Sequence, residues 1–248
     1  MTEVSVTRFK EPKGNLFGLA SFTYNGQFLV QNIRIVQSEK NEIFVSMPSY
    51  KRQNKENGES EYKQYVNPVT REFREELYSA ILKQYEKGGG KVSIGEDEPD
   101  ISFDGYFNPY TREGSSIRGL VNVVIGGKFA VNGIGIYQTK KENFLMASMP
   151  SYKTSKTDKE GNPVYKAICY SPKSEFSKIF YKMIIDIAKA NEKAHFNEQG
   201  VIVQENGKNL DGHVVRGQSS SEDGFLDISE DMMEDLPFML DETVPPVL

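Results

Sequence analysis

Ser46-Met47-Pro48-Ser49-Tyr50-Lys51 recurs without change as Ser148-Met149-Pro150-Ser151-Tyr152-Lys153. Two identical six-residue words mark a duplication, and the correspondence continues on both sides. Gly18-Leu19 matches Gly119-Leu120, Gly26-Gln27-Phe28 matches Gly127-Lys128-Phe129, and Ile33-Arg34-Ile35 matches Ile134-Gly135-Ile136. Farther on, Tyr62-Lys63 matches Tyr165-Lys166 and Glu72-Phe73 matches Glu175-Phe176. A period of about 100 residues is domain-sized rather than solenoidal. The expectation is one fold in tandem, serving a function that uses two copies.

Upstream of each word, the pattern reads as a β-hairpin. Apolar and β-branched runs over residues 16–24 and 27–37 flank Asn25-Gly26, and runs over 117–125 and 128–138 flank Gly126-Gly127. Both dipeptides supply the positive φ angles of a two-residue turn. Ile33 and Ile35 alternate with Asn32 and Arg34, which predicts one buried and one polar sheet face. A third strand over 43–47 and 145–149 should stop at Pro48 and Pro150, which cannot donate to a ladder. Polar loops over 51–61 and 153–162 follow, and strands resume over 62–66 and 164–170. Each module then closes with a helix, with Asn67-Pro68 and Ser171-Pro172 read as a cap before a first-turn proline. Phe176, Ile179, Phe180, Met183, Ile184 and Ile187 give the second helix one apolar face; Phe73, Leu77, Ile81 and Tyr85 give the first a shorter one.

The fold class expected is α+β: two repeated modules, each a small antiparallel sheet with a hairpin and a C-terminal helix, forming an intramolecular pseudo-dimer. Residues 1–87 are module one, 88–100 a linker and 101–193 module two. Residues 194–221 are a polar connector and 222–248 an acidic tail, expected to be disordered when free.

A net charge of −5 conceals an asymmetry. Residues 1–193 hold 28 basic and 23 acidic side chains; residues 194–248 hold 2 and 12. The body is basic and the tail acidic, so the two need separate explanations. One cysteine, Cys169, excludes an intrachain disulfide and a cysteine-rich zinc site, and its expected place is a buried strand. No stretch reads as a signal peptide or membrane span. Neither module offers a histidine beside serine or cysteine, a glycine-rich loop between strand and helix, or clustered inward carboxylates. No enzyme activity, cofactor or metal is expected, and the expected location is the bacterial cytoplasm, with a phage genome a compatible source.

The segments Phe28–Ile35, Ile43–Ser49 and Asn67-Pro68 with the helix from Thr70 resemble the SpoVG (septation protein) family. Residues 129–136 and Ser148-Met149-Pro150-Ser151 are similar in the second copy. The resemblance implies a small α+β domain that dimerises and binds DNA and RNA through basic residues just after Met-Pro-Ser. Those are Lys51 and Arg52 in the first copy and Lys153 in the second, where Thr154 replaces the arginine and Lys156 must substitute. In the tail, residues 225–231 and Glu234-Asp235-Leu236-Pro237-Phe238 resemble the acidic tip of bacterial single-stranded-DNA-binding proteins. That tip recruits replication and repair proteins, which points to Asp231, Glu234, Asp235, Leu236, Pro237 and Phe238 as a docking peptide.

Cations that follow phosphates and aromatics that stack on bases together give sequence-tolerant binding to single strands. Tyr50, Lys51 and Arg52, and Tyr152 with Lys153, supply both; Lys55, Lys63, Lys156 and Lys166 extend the charge. The expected partners are nucleic acid, with single-stranded DNA favoured, and replication or repair proteins through the tail. A monomeric pseudo-dimer, or at most a weak homo-oligomer without membrane attachment, is the expected state. The alternative is a DNA- or RNA-binding regulator of gene expression whose tail only shields the basic surface.

Overall fold

A computed structural model describes residues 1–53, 60–98, 101–110, 114–139, 144–190 and 194–196. They form mostly antiparallel sheets with two helices, an α+β fold. In the first half β1 (Thr2–Lys13), β2 (Leu16–Tyr24), β3 (Phe28–Gln37) and β4 (Ile43–Ser46) lead to a ribbon of β5 (Ser49–Gln53) and β6 (Ser60–Gln64). Then come β7 (Val66–Pro68), α1 (Arg71–Glu86) and β8 (Gly89–Ile94). The second half keeps this order: β9 (Phe103–Pro109), β10 (Ile117–Ile125), β11 (Phe129–Gln138) and β12 (Leu145–Ser148) precede a ribbon of β13 (Ser151–Thr157) and β14 (Pro163–Ala167). β15 (Cys169–Tyr170), α2 (Ser174–Ala190) and β16 (Ala194–Phe196) complete it.

The hairpin turns follow their chemistry. Asn25 and Gly26 have φ of 49° and 63°, and Gly126 and Gly127 have 57° and 60°. A Cβ on Gly126 would lie 2.1 Å from the Tyr24 hydroxyl, so the second turn must be glycine for the first hairpin to reach it. Each hairpin also carries a matched bulge, with register shifts between Ala20 and Phe22 and between Val121 and Val123. The extra residue in each case has positive φ, Asn32 at 64° and Gly133 at 75°. Ile33 and Ile35 are buried and Arg34 exposed, the expected alternation. β10 departs from it: Leu120, Asn122 and Val124 are buried as well as Val121, Val123 and Ile125. Half-buried Leu19, Ser21 and Thr23 stand at the matching places in β2.

Neither half completes its sheet alone. β7 pairs with β11 of the other half, Val66 opposite Val131 and Pro68 opposite Phe129. Reciprocally, β15 pairs with β3, Cys169 opposite Val30 and Tyr170 opposite Leu29. The flanking hydrogen bonds match: the Asn132 N–H donates to the Tyr65 carbonyl at 2.8 Å, and the Gln31 N–H to the Ile168 carbonyl at 2.8 Å. Side chains repeat the relation, Gln31 Nε2 donating to Ala167 O at 2.7 Å and Asn132 Nδ2 to Gln64 O at 3.2 Å. The core is continuous across this junction. Across the halves, Phe129 packs on Phe22, Tyr24, Phe28 and Phe73 of α1. Phe28 in turn packs on Phe176 and Phe180 of α2.

This exchange corrects several expectations. Asn67-Pro68 is not a helix cap, because cross-half pairing holds it in β7. Thr70 caps α1 instead, its hydroxyl accepting the Phe73 N–H at 3.2 Å. Ser171 Oγ accepts the Lys173 N–H in a turn before α2. The stretch read as a linker, 88–100, contains β8, which pairs with β1 from Thr2 opposite Ile94 to Thr7 opposite Gly89. Its glycines permit close approach, since a Cβ on Gly89 would sit 2.9 Å from the Val6 carbonyl oxygen. Ala194–Phe196, at the start of the polar connector, likewise pair with β9. The polar loops after Pro48 and Pro150 are in large part the arms of ribbons. The acidic tail lies outside the described residues.

Two expected outcomes follow from the junction. A fragment of residues 1–98 lacks the strand that should cover β3, so it should dimerise in light scattering by exchanging its own β7; a stable monomer would contradict the reciprocity. The second concerns Glu98, whose carboxylate accepts the Tyr24 hydroxyl and pairs with the Lys128 ammonium. Burial pushes its carboxyl up, but the hydrogen bonds from Lys128 and Tyr24 and the nearby amino terminus outweigh burial and hold it below the usual range. A depressed carboxyl contributes stability above its unfolded pKa and loses it as pH falls through the folded one. Glu98→Gln should therefore lower the melting temperature at neutral pH and flatten its acid dependence; an unchanged acid limb would contradict this.

Candidate nucleic-acid interface

The repeated word is first a structural device. Met47 and Met149 are buried and anchor the strand ends. The carbonyls of Pro48 and Pro150 accept the N–H groups of Tyr65 and Ile168 at 2.8 and 2.7 Å. Proline thus ends the sheet pairing and its carbonyl clamps the returning chain, so Ser49 and Ser151 each launch a ribbon. A small cleft is lined by Tyr65 of the first half together with Met149, Pro150 and Ser151 of the second. The two ribbons therefore leave the body from adjacent places.

Register decides what each ribbon displays. In the first, Tyr50 lies opposite Lys63 and Lys51 opposite Tyr62. In the second, Tyr152 lies opposite Lys166 and Lys153 opposite Tyr165. Successive strand residues face opposite sides, so Lys51 with Tyr62 share one face and Tyr50 with Lys63 the other. Tyr50 is buried, its ring 4.7 Å from that of Tyr65. Burial, reinforced by Tyr50, raises the Tyr65 hydroxyl well above its ordinary pKa. Tyr50 thus belongs to the base of its ribbon. Tyr152 is half-buried, and its hydroxyl is also raised, by burial first and then by Tyr170.

The cations differ in availability. Lys51, Lys153, Lys156 and Lys166 are exposed, and among the described residues they make no ion pair. Lys63 is partly buried and pairs with Glu61 at 2.7 Å, which neutralises much of its field. The Arg52 side chain and Lys55 lie outside the described residues. Thr154, in the place matching Arg52, has a structural task. Its hydroxyl donates to Val164 O at 2.8 Å and accepts the Lys156 N–H at 3.2 Å, closing a register irregularity between Lys153 and Thr157. Such irregularities re-aim side chains, and Thr154, Ser155 and Lys156 all lie within this one. At the ribbon tip the Asp158 carboxylate accepts the N–H groups of Glu160 and Asn162, each at 2.8 Å.

Tyr62 and Tyr165 were not among the residues expected at the site. They are 68% and 37% exposed, each directly across from the lysine of the repeated word. They were read as part of the strands that resume after each loop, and only pairing those strands back onto the word would have found them. Cys169 is fully buried in β15, where burial raises its thiol, as its expected strand position implied.

Comparison with known proteins places the first half. The SpoVG family profile matches residues 1–87. The chain is 34% identical over 87 residues to "Putative septation protein SpoVG" of Thermoanaerobacter sp. (strain X514), covering 35% of this chain and 87% of that protein. The protein of the same name from Treponema denticola is also 34% identical over 87 residues, covering 35% of this chain and 86% of the relative. Its namesake from Lachnoclostridium phytofermentans is 31% identical over 98 residues, 40% of this chain and 98% of the relative. No solved structure matches the chain.

Proposed function

The chain belongs to the SpoVG family, and on that premise we propose that it is a non-catalytic nucleic-acid-binding protein with two binding ribbons. Residues 101–193 are, in this reading, a second copy of the family domain. The observation that carries it is the matched placement of Lys51 and Lys153, exposed at the same register of two ribbons that rise from one junction. Phosphates need cations along a track, and two linked tracks bind as one at high effective concentration. Single-stranded DNA is the favoured ligand, because exposed aromatic rings stand beside those cations and a duplex hides its base faces. The setting is replication, recombination or repair. The tail, with nine acidic and no basic residues from Glu222 to Leu248, recruits partner proteins through its Leu-Pro-Phe segment.

A second reading has its own observation. A two-stranded β-ribbon fits a major groove, so a regulator that grips duplex DNA with both ribbons would use the same arms, its tail acting as a shield. Binding to poly-dT, duplex DNA and RNA across a salt series separates the two. A steep salt slope with poly-dT preferred is expected. Tight binding of one duplex sequence would favour the regulator, and no binding to any of the three would sink both. Truncation before Glu222 that leaves low-salt affinity unchanged would exclude a tail that competes for the ribbons.

A further inference from the structure

We propose that Tyr62 and Tyr165 are the base-stacking platforms of the two ribbons and set the preference for unpaired strands. The inference rests on the nucleic-acid reading above and deepens it. Both rings sit on the lysine-bearing face, directly opposite Lys51 and Lys153, where a phosphate held by the lysine places its base within reach of the ring. Tyr62 keeps 68% of its surface in water and Tyr165 37%. A ring as exposed as that of Tyr62 contributes little to folding. The other tyrosines of the ribbon bases, Tyr50 and Tyr65, are buried against each other. The same aromatic–cation pair therefore stands, outward-facing, at one register in two halves whose neighbouring positions have diverged, Arg52 against Thr154.

A cross-strand Lys–Tyr pair also steadies a ribbon by a small amount, so the test must separate stacking from support. Tyr62→Ala with Tyr165→Ala should weaken poly-dT binding by about five- to 150-fold per ring. Duplex affinity and melting temperature should change little, and Tyr62→Phe with Tyr165→Phe should bind poly-dT like the parent. The chain has no tryptophan, so Tyr62→Trp gives a single reporter whose emission should be quenched by stacking when poly-dT binds. Wild-type poly-dT affinity in the double alanine variant, while Lys51→Glu with Lys153→Glu loses it, would overturn the stacking role and leave the nucleic-acid reading standing. Loss in neither pair would overturn both. Equal loss in the phenylalanine and alanine variants, unquenched indole emission from the Tyr62→Trp variant, or a melting temperature that falls in step with affinity would overturn the stacking role.

Discussion

Lys51→Glu combined with Lys153→Glu should cut poly-dT affinity by about a thousandfold at low salt while leaving the fold intact. Each lysine is exposed on its ribbon and makes no ion pair among the described residues, so reversing it breaks no ion pair there and costs the ribbon little. Two unit charges at about 4 Å in water interact by about 1 kcal/mol, and reversal turns that attraction into an equal repulsion. At two sites the change sums to about 4 kcal/mol, or roughly three decades of affinity. Each lost phosphate contact should also lower the salt slope by about one. Filter binding across a salt series and a thermal melt would check both parts. Parental affinity in the folded double variant would remove the ribbons from the interface. The single variants should be unequal, because Lys153 has Lys156 and Lys166 exposed on its ribbon while Lys63 is already paired with Glu61.

Phe129→Ala should be among the most damaging substitutions, costing about 3–5 kcal/mol in denaturant unfolding. Its ring is fully buried and packs edge-on against Phe22 and Tyr24 at 5.2 and 5.4 Å, and it also meets Phe28 and Phe73. All four partners belong to the first half, so the cavity opens between the halves rather than inside one. A domain has about 5–15 kcal/mol to lose, so the variant forfeits a large share of that margin. Because the lost contacts join the halves, both should melt in one transition at the lower temperature. Two separated transitions, or a loss below about 1 kcal/mol, would show that the halves fold independently. Phe28→Ala should behave similarly, since Phe28 packs on Phe176 and Phe180 across the same boundary.

Local chemistry was readable where it was decided locally. Asn25-Gly26 and Gly126-Gly127 could be read as turns because few other residues take positive φ twice in succession. The apolar faces of α1 and α2 could be read from their spacing, as the burial of Phe73, Leu77 and Ile81 and of Phe176, Phe180 and Ile184 shows. What sequence spacing does not encode is which strand a segment meets. Val66–Pro68 carry a local cap signal, but pairing with β11 overrides it. β1 has alternating burial only over its first residues and runs into an exposed, charged end, so its pattern fades where a boundary would be sought. Gly88-Gly89-Gly90 resembles a hinge, yet Gly89 and Gly90 lie in an edge strand. At the proposed site, the placement of Lys51 and Lys153 at matching positions was legible from the repeated word, whereas that of Tyr62 and Tyr165 opposite them required the ribbon register.

The reciprocal exchange of β7 and β15 ties two unlike arms into one molecule. An identical pair related by true symmetry looks the same to a strand entering from either end. Here one arm is regular and the other is interrupted at Thr154, so the pair has a left and a right. Nucleic acid also has a left and a right, its 5′ and 3′ ends. If the ribbons hold a strand as proposed, their unlike arms would favour one strand direction over the other, a preference that a symmetric dimer of identical subunits lacks.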